Sequence, residues 1–496
     1  MVAAIARYRR PLIIGAMLAA ATATAFLLRP HPSALEPGRG STPGGAGSNS
    51  ALREFEGSYP KEVTPTGVVR EFALAAAPAV LPLFDGQPME VWAYNGQVPG
   101  PVIRVRQGDR LRVTFTNRLS QPTTVHWHGV RVPNAMDGVP NVTQPAVPPG
   151  GTFVYEFVLK DAGTFWFHPH LRSSEQVERG LYGVLIVDET TPPPYSRDVV
   201  WVLDDWRIQQ GVIDPQFNTR RDLMHDGRWG NIITVNGRTD DRLTVRPGER
   251  IRLRLLNSAN GRIFALNFSG LEAQVIAVDG LYAARPVEPE GLELAPGNRM
   301  DLDIIIPASA AGRQIHIIDR FTRVPNVVAS IDVSNEPAVE IADFQSPAAA
   351  HVPSWHNTDA TAPRLTYRLN ASSGGEFGIV WTLNGVAMKG HDQHGTGVRP
   401  REESEADALP RGEWSKIRFI NDSHRLHPIH IHGMFFRVLS RDGQRVDEPF
   451  FRDTVLVHSR ETVDIGVVPL DEGNWMLHCH VLEHAEAGMM SLLEVR

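Results

Sequence analysis

Four times in this 496-residue chain two histidines stand one residue apart: His126/His128, His168/His170, His430/His432 and His478/His480. In a strand, residues i and i+2 share a face, so each pair aims two imidazoles the same way. A lone pair is commonplace on a surface or in a core. Four pairs, using eight of the 19 histidines, form a pattern. Eight imidazoles are too many for one tetrahedral zinc and suit a cluster of several ions. Cys479, the single cysteine, lies between His478 and His480. With His427, His484 and Met489 it supplies one thiolate, two imidazoles and a thioether. Two His and one Cys with a long axial Met is the blue-copper electron-transfer set. The alternative for Met489 is core packing, as for Leu181 at the corresponding place. On the ligand reading, Cys479 binds a one-electron centre while its covalent neighbours bind the cluster. Electrons taken singly then reach a reaction that needs several, as the reduction of O₂ to two waters does.

A threefold repeat positions these residues. QGDRLRVTFTN (107–117), PGERIRLRLLN (247–257) and RGEWSKIRFIN (411–421) each run from Gly through alternating apolar residues to an Asn nine positions on. Period two predicts a half-buried strand. Upstream lie Asn95–Gly96, Asn236–Gly237 and Asn384–Gly385, a turn signal. Nine residues after Asn117 and Asn421 stand HWHG (126–129) and HIHG (430–433); nine after Asn257 stands LNFS, without histidine. GTFWFHPH (163–170) and GNWMLHCH (473–480) match likewise, with Cys479 in the place of Pro169. The predicted organisation is all-β: residues 59–190 and 360–496 carrying ligands, 195–340 carrying none, and a Pro/Ala-rich linker at 340–363. Ligands on the first and third units imply that these two meet face to face with the metals between them.

Composition limits the alternatives. Net charge is −7 and the pI about 6.3, which gives no sign of a nucleic-acid partner. One cysteine excludes an intramolecular disulfide framework. Residues 1–28 combine Arg7, Arg9 and Arg10 with an apolar run over 11–28. They read as a signal peptide or N-terminal anchor, with Arg9–Arg10 a loose twin-arginine pattern. Residues 29–58 read as a flexible linker. The working body is therefore expected outside the cytoplasm, periplasmic or extracellular, and three consecutive units suffice as a monomer.

HWHG, HPH, HPIHIHG and HCHVLEHAEAGMM together resemble the multicopper oxidases, over roughly residues 60–496. The resemblance implies three consecutive cupredoxin-like Greek-key β-sandwich domains and four copper ions. By motif position it implies a type 1 copper on His427, Cys479, His484 and Met489, and a type 2 copper on His126 and His430. It implies a type 3 pair on His128, His168, His170, His432, His478 and His480. Asp137 resembles the family's acid near the type 2 copper, able to orient water or supply protons. Where many relatives carry a proton-delivering glutamate this chain has Ala485, and Glu486, one residue on, is the candidate substitute. Asp453, in RDTV, also fits a recurrent family pattern, with a structural role expected.

Three functions compete. A laccase-like oxidase would take electrons from phenols or aryl amines at the type 1 edge, near His427 or His484, and pass them to O₂. A cuprous or ferrous metallo-oxidase is the alternative. Only one methionine lies in the loop 386–410, where thioethers would favour Cu(I), although His391, His394 and five acids there could attract metal ions. A non-enzymatic copper-binding protein is disfavoured because every ligand position is filled. A zinc hydrolase would leave the Cys–His–Met set unexplained.

Overall fold

The computed structural model describes residues 46–84, 86–341, 343–374, 378–388 and 407–496. The signal or anchor segment 1–28 and the pair His391 and His394 lie outside the described residues. Among the described residues no helix is long and apolar enough to cross a membrane.

The chain forms three successive two-sheet sandwiches. In each, the opening strand pairs in parallel with the strand of the repeat: Val69–Leu83 with Arg110–Asn117, Arg197–Trp206 with Arg250–Asn257, and Leu365–Ser373 with Ser415–Asn421. The second sheets repeat a parallel pairing too, Ile103–Arg106 with Gly183–Asp188, Asp241–Val245 with Asn326–Val333, and Asp407–Leu409 with Met490–Val495. Each sandwich has its own core, built for example on Phe115 and Trp127, on Leu253 and Ile304, and on Phe419 and Trp475.

Local chemistry explains the repeat. Asn95, Asn236 and Asn384 sit at φ 52–55° with a positive-φ glycine after each, the two-residue hairpin turn that Asn–Gly favours. Each side chain also accepts from the neighbouring strand, at Ala75 N, Val202 N and Arg368 N. Asn117, Asn257 and Asn421, at the end of the repeat strand, all brace the loop that follows. Each accepts from the amide two residues on and donates to two or more carbonyls, one of them four or five residues ahead. The histidine strands start beyond these loops.

Two expectations are corrected. Residues 46–55, inside the expected flexible linker 29–58, form a helix. Its Ala51 and Phe55 are buried against Trp355 and Phe451, and the Ala51 carbonyl accepts from Trp355 Nε1. The Gly/Pro-rich composition stops short of this apolar face, so the ordering entropy is offset by burial. The repeat strand of the middle sandwich is buried on both faces, not one. Its Arg252 and Arg254 pack under the first sandwich and pair with Asp301 and Asp198 at 2.6 Å, because buried guanidinium groups need a partner.

Candidate metal centres

Strand register brings the histidines together. His126–His128 runs antiparallel to Gly163–His168 with His126 opposite His168, and His427–Ile431 runs against Gly473–Cys479 with His430 opposite His478. His126, His128, His168, His170, His430, His432, His478 and His480 are all buried. Ligand atoms of His128, His168 and His480 lie within 4.8 Å of one another, as do those of His170, His432 and His478, and of His126, His128 and His430. The eight rings form one cage between the first and third sandwiches.

Hydrogen bonds decide which nitrogen faces inward in six of the eight rings. Main-chain carbonyls accept from Nδ1 of four rings: Asp137 O from His126, Pro169 O from His168, Asp453 O from His430 and Cys479 O from His478, at 2.8–2.9 Å. Two rings are held by a carboxylate of the opposite sandwich. Asp137 Oδ2 accepts from His432 Nδ1 at 2.8 Å, and Asp453 Oδ1 accepts from His128 Nε2 at 3.2 Å. The freed nitrogens, His126 Nε2, His128 Nδ1, His168 Nε2 and His430 Nε2, together with both nitrogens of His480, are buried without a hydrogen-bond partner. Buried polar atoms are rarely orphaned, so each one here calls for an explanation. A ligated metal ion supplies the missing partner, and outer oxygens that fix the tautomer are what a histidine metal site uses. Burial also depresses the proton affinity of His128, His168, His430, His432, His478 and His480, His478 to about 3, which leaves neutral imidazoles ready to ligate.

The second centre lies within the third sandwich. Cys479 Sγ is 3.7 Å from His427 Nδ1 and 3.9 Å from His484 Nδ1, and the two Nδ1 atoms are 3.3 Å apart. Burial lowers both imidazoles and raises the thiol, each toward its neutral form, because a buried charge is poorly solvated. Met489 is fully buried, and its main chain is tied to Cys479 N and His484 O. The donor set fits copper.

Both imidazoles are fully buried, and each is held on its outer side. His427 Nε2 meets Ser423 Oγ at 2.9 Å, and His484 Nε2 donates to the His225 carbonyl at 2.8 Å. Trp381 covers both rings, with centroids 4.9 and 4.2 Å away, and donates to Leu223 O. Residues 223–225 belong to the middle sandwich, whose side chains Met224 and His225 are exposed just outside the cap.

The acids separate into different environments. Asp137 is fully buried; Oδ2 holds His432 while Oδ1 has no hydrogen-bond partner. Burial alone would raise Asp453, but the Arg299 guanidinium at 2.6 Å and the His430 ring outweigh it and hold the carboxyl low. Glu486 accepts from Ser174 N, Ser174 Oγ and Asn218 Nδ2, and burial raises it. It borders a cavity of about 20 Å³ shared with His168, His170 and His478, room for one water. Sequence reasoning missed Arg299, Ser423, Trp381 and the His225 carbonyl. Arg299, Trp381 and the His225 carbonyl act on residues from another strand or sandwich and leave no local signal. Ser423, in contrast, acts on His427 only four residues on, a spacing the sequence did show.

Three segments, residues 80–192, 197–313 and 370–496, match profiles described as multicopper oxidase. A multicopper oxidase of Mycobacterium tuberculosis is 28% identical, covering 91% of each chain. Copper resistance protein A of Escherichia coli is 30% identical over 46% of this chain and 44% of its own. The crystal structure of a multi-copper oxidase from Pseudomonas thermotolerans superposes with a TM-score of 0.75 at 34% identity, covering 87% of this chain and all of that one.

Proposed function

The chain belongs to the multicopper oxidases, copper-binding oxidoreductases, and on that premise we propose that it oxidises phenols and aryl amines and reduces O₂ to water. His427, Cys479, His484 and Met489 would hold one copper, His126 and His430 a second, and the remaining six histidines a pair. Copper at these places supplies a one-electron acceptor and, at the cage, the electrons and Lewis acidity that O₂ reduction requires. The observation that carries this reading is the set of buried ring nitrogens that converge without any protein partner.

The chain's own groups then divide the work. Cys479 is joined by peptide bonds to His478 and His480, so one short stretch of backbone connects the two centres. Asp137 can take a proton at Oδ1 without releasing His432 from Oδ2. Glu486, with Ser174 Oγ beside it, is a second proton carrier, placed at the cavity that borders His170 and His478. Residues 1–28 would export the protein to the periplasm or beyond.

One observation favours a second reading, a cuprous or ferrous oxidase. The exposed side chains outside the capped His484 are a thioether and an imidazole, Met224 and His225, followed by the half-buried carboxylate of Asp226. These donors suit a metal ion better than an aromatic ring. Oxygen uptake by the copper-loaded chain, with a methoxyphenol and with Cu(I) in parallel, decides between the two. Faster uptake with the phenol supports the aryl donor, and preference for Cu(I) moves the assignment to metal oxidation. No uptake with either, in protein holding four coppers, would overturn the oxidase.

A further inference from the structure

The middle sandwich supplies no ligand histidine, yet its loop 295–299 reaches the cage. Gly297 lies so close that a Cβ there would stand 3.0 Å from both His128 Cε1 and His480 Cδ2. Asn298 Nδ2 donates to Thr454 O and to the Asp279 carboxylate. Arg299 follows, with its guanidinium fully buried.

All five N–H donors of Arg299 are used. Nε donates to Thr164 O of the first sandwich, one Nη1 proton to Gly297 O, and one Nη2 proton to Asp279 O. The other two form a fork onto Asp453 of the third sandwich, at 3.1 and 2.6 Å. One side chain therefore ties three sandwiches together at one carboxylate. Asp453 in turn accepts from His128 Nε2 through Oδ1 and from His430 Nδ1 through its carbonyl. The glycine of HWHG follows from this packing: a Cβ on Gly129, at φ +80°, would overlap both the guanidinium and the Asp453 carboxylate.

His128 depends on this arrangement more than its neighbours do. Most rings with a fixed tautomer are held by a main-chain carbonyl, which cannot turn away. His128 is held by a side chain of another sandwich, and its Nε2–H must stay on Asp453 for Nδ1 to face the cage. Asp137 holds His432 in the mirror-image way, but among the described residues no guanidinium stands behind it. We propose that Arg299 is a positioning residue of the copper cage, fixing the Asp453 carboxylate and through it the orientation of His128. The proposal rests on the copper reading above.

Lysine keeps the charge but loses the fork and most of the carbonyl bonds. Arg299→Lys, Arg299→Met and Asp453→Asn, and the double variant Arg299→Met/Asp453→Asn, can be compared with the unaltered chain. Copper content, the paramagnetic resonance of the uncoupled coppers and thermal unfolding are read on each, the coupled pair being followed through copper content. Outer-sphere partners of metal-bound histidine typically matter by roughly 10- to 100-fold in metal affinity or activity. Copper retention in the cage is therefore expected to fall by about that factor in Arg299→Met and less in Arg299→Lys. The thiolate–copper absorption should stay unchanged, and the double variant should be no worse than the worse single one. A lower unfolding temperature with copper content and cage resonance intact would overturn the proposal, and so would equal losses at both centres. If Arg299→Met does not fold, Arg299→Lys and Asp453→Asn carry the same two outcomes, since neither leaves a buried charge of new sign. These readouts need no turnover, so a chain that binds copper but consumes no oxygen would fail as an oxidase without touching this test.

Discussion

The first and third sandwiches carry the same four positions and fill them differently. Thr123 follows Asn117 by six residues as His427 follows Asn421, and Pro169 stands in the place of Cys479. Gln176 O accepts from Leu181 N as His484 O accepts from Met489 N. In the first sandwich Thr123 Oγ1 donates to Gln176 Oε1 at 2.6 Å, Gln176 Nε2 donates to Pro122 O, and Leu181 closes the gap. In the third, the two imidazole Nδ1 atoms and the Cys479 sulfur converge on one point, while each imidazole Nε2 is already taken, by Ser423 Oγ and by the His225 carbonyl. Both pockets are fully buried, so burial does not distinguish a metal centre from a core. The distinction is whether the polar atoms satisfy one another or are left facing a gap.

The strongest way to break that comparison is Cys479→Ser, which makes the third pocket as unable to hold a soft metal as the first. Oxidase activity should fall to the detection limit and the thiolate–copper absorption vanish. The cage coppers, held by other side chains, should remain bound by metal analysis, with the uncoupled one still in the resonance spectrum.

The two acids between these sandwiches come next. Asp137→Asn keeps an acceptor for His432 but removes the proton-carrying oxygen. Oxygen uptake at saturating donor should fall about 10²- to 10⁴-fold, the usual worth of a positioned acid–base group, with copper content unchanged. An unchanged rate would leave Asp137 as scaffold only.

Thr123→Ala tests the first pocket as plain core. Gln176 Oε1 loses its donor, so stability should fall by about 1–3 kcal/mol, read as a lower unfolding midpoint, while both copper spectra stay the same. A change in the thiolate–copper absorption would contradict the comparison.

The smallest effect is expected where the third sandwich meets the second at the surface. The side-chain hydrogen bond to Glu293, at 2.8 Å, raises His458. A raised histidine stabilises below its unfolded pKa and loses that contribution as pH rises through the folded value. Both groups are substantially exposed, so His458→Gln should cost below about 1 kcal/mol. The loss should be measurable near pH 6 and absent near pH 9 when unfolding midpoints are compared.

Much of this site was legible in the linear chain because its grammar is local. Alternation places His126 with His128 on one strand face, Asn117 and Asn421 brace loops a few residues ahead, and Asn–Gly marks the hairpins. The repeat then aligns the first and third sandwiches without knowledge of any contact. The helix 46–55 was missed because its apolar face is short and its partner, Trp355, lies 304 residues away. The cap on His484 was missed for the same reason, as a main-chain carbonyl 259 residues distant carries no side-chain signature.

Residue types and short spacings by themselves determined the candidate donor residues, the three sandwiches and which of them lacks the paired histidines. Tertiary structure alone decided which ring nitrogen faces the cage, which acid is tied to Arg299 and which keeps an oxygen without a hydrogen-bond partner, and what stands between His484 and solvent. Strand periodicity and turn preference act over a few residues and so leave a mark in sequence. A hydrogen bond across 154 residues, such as Arg299 to Asp453, depends on where whole sandwiches come to rest. Its energy is comparable to a local one, but its partner is chosen only by packing.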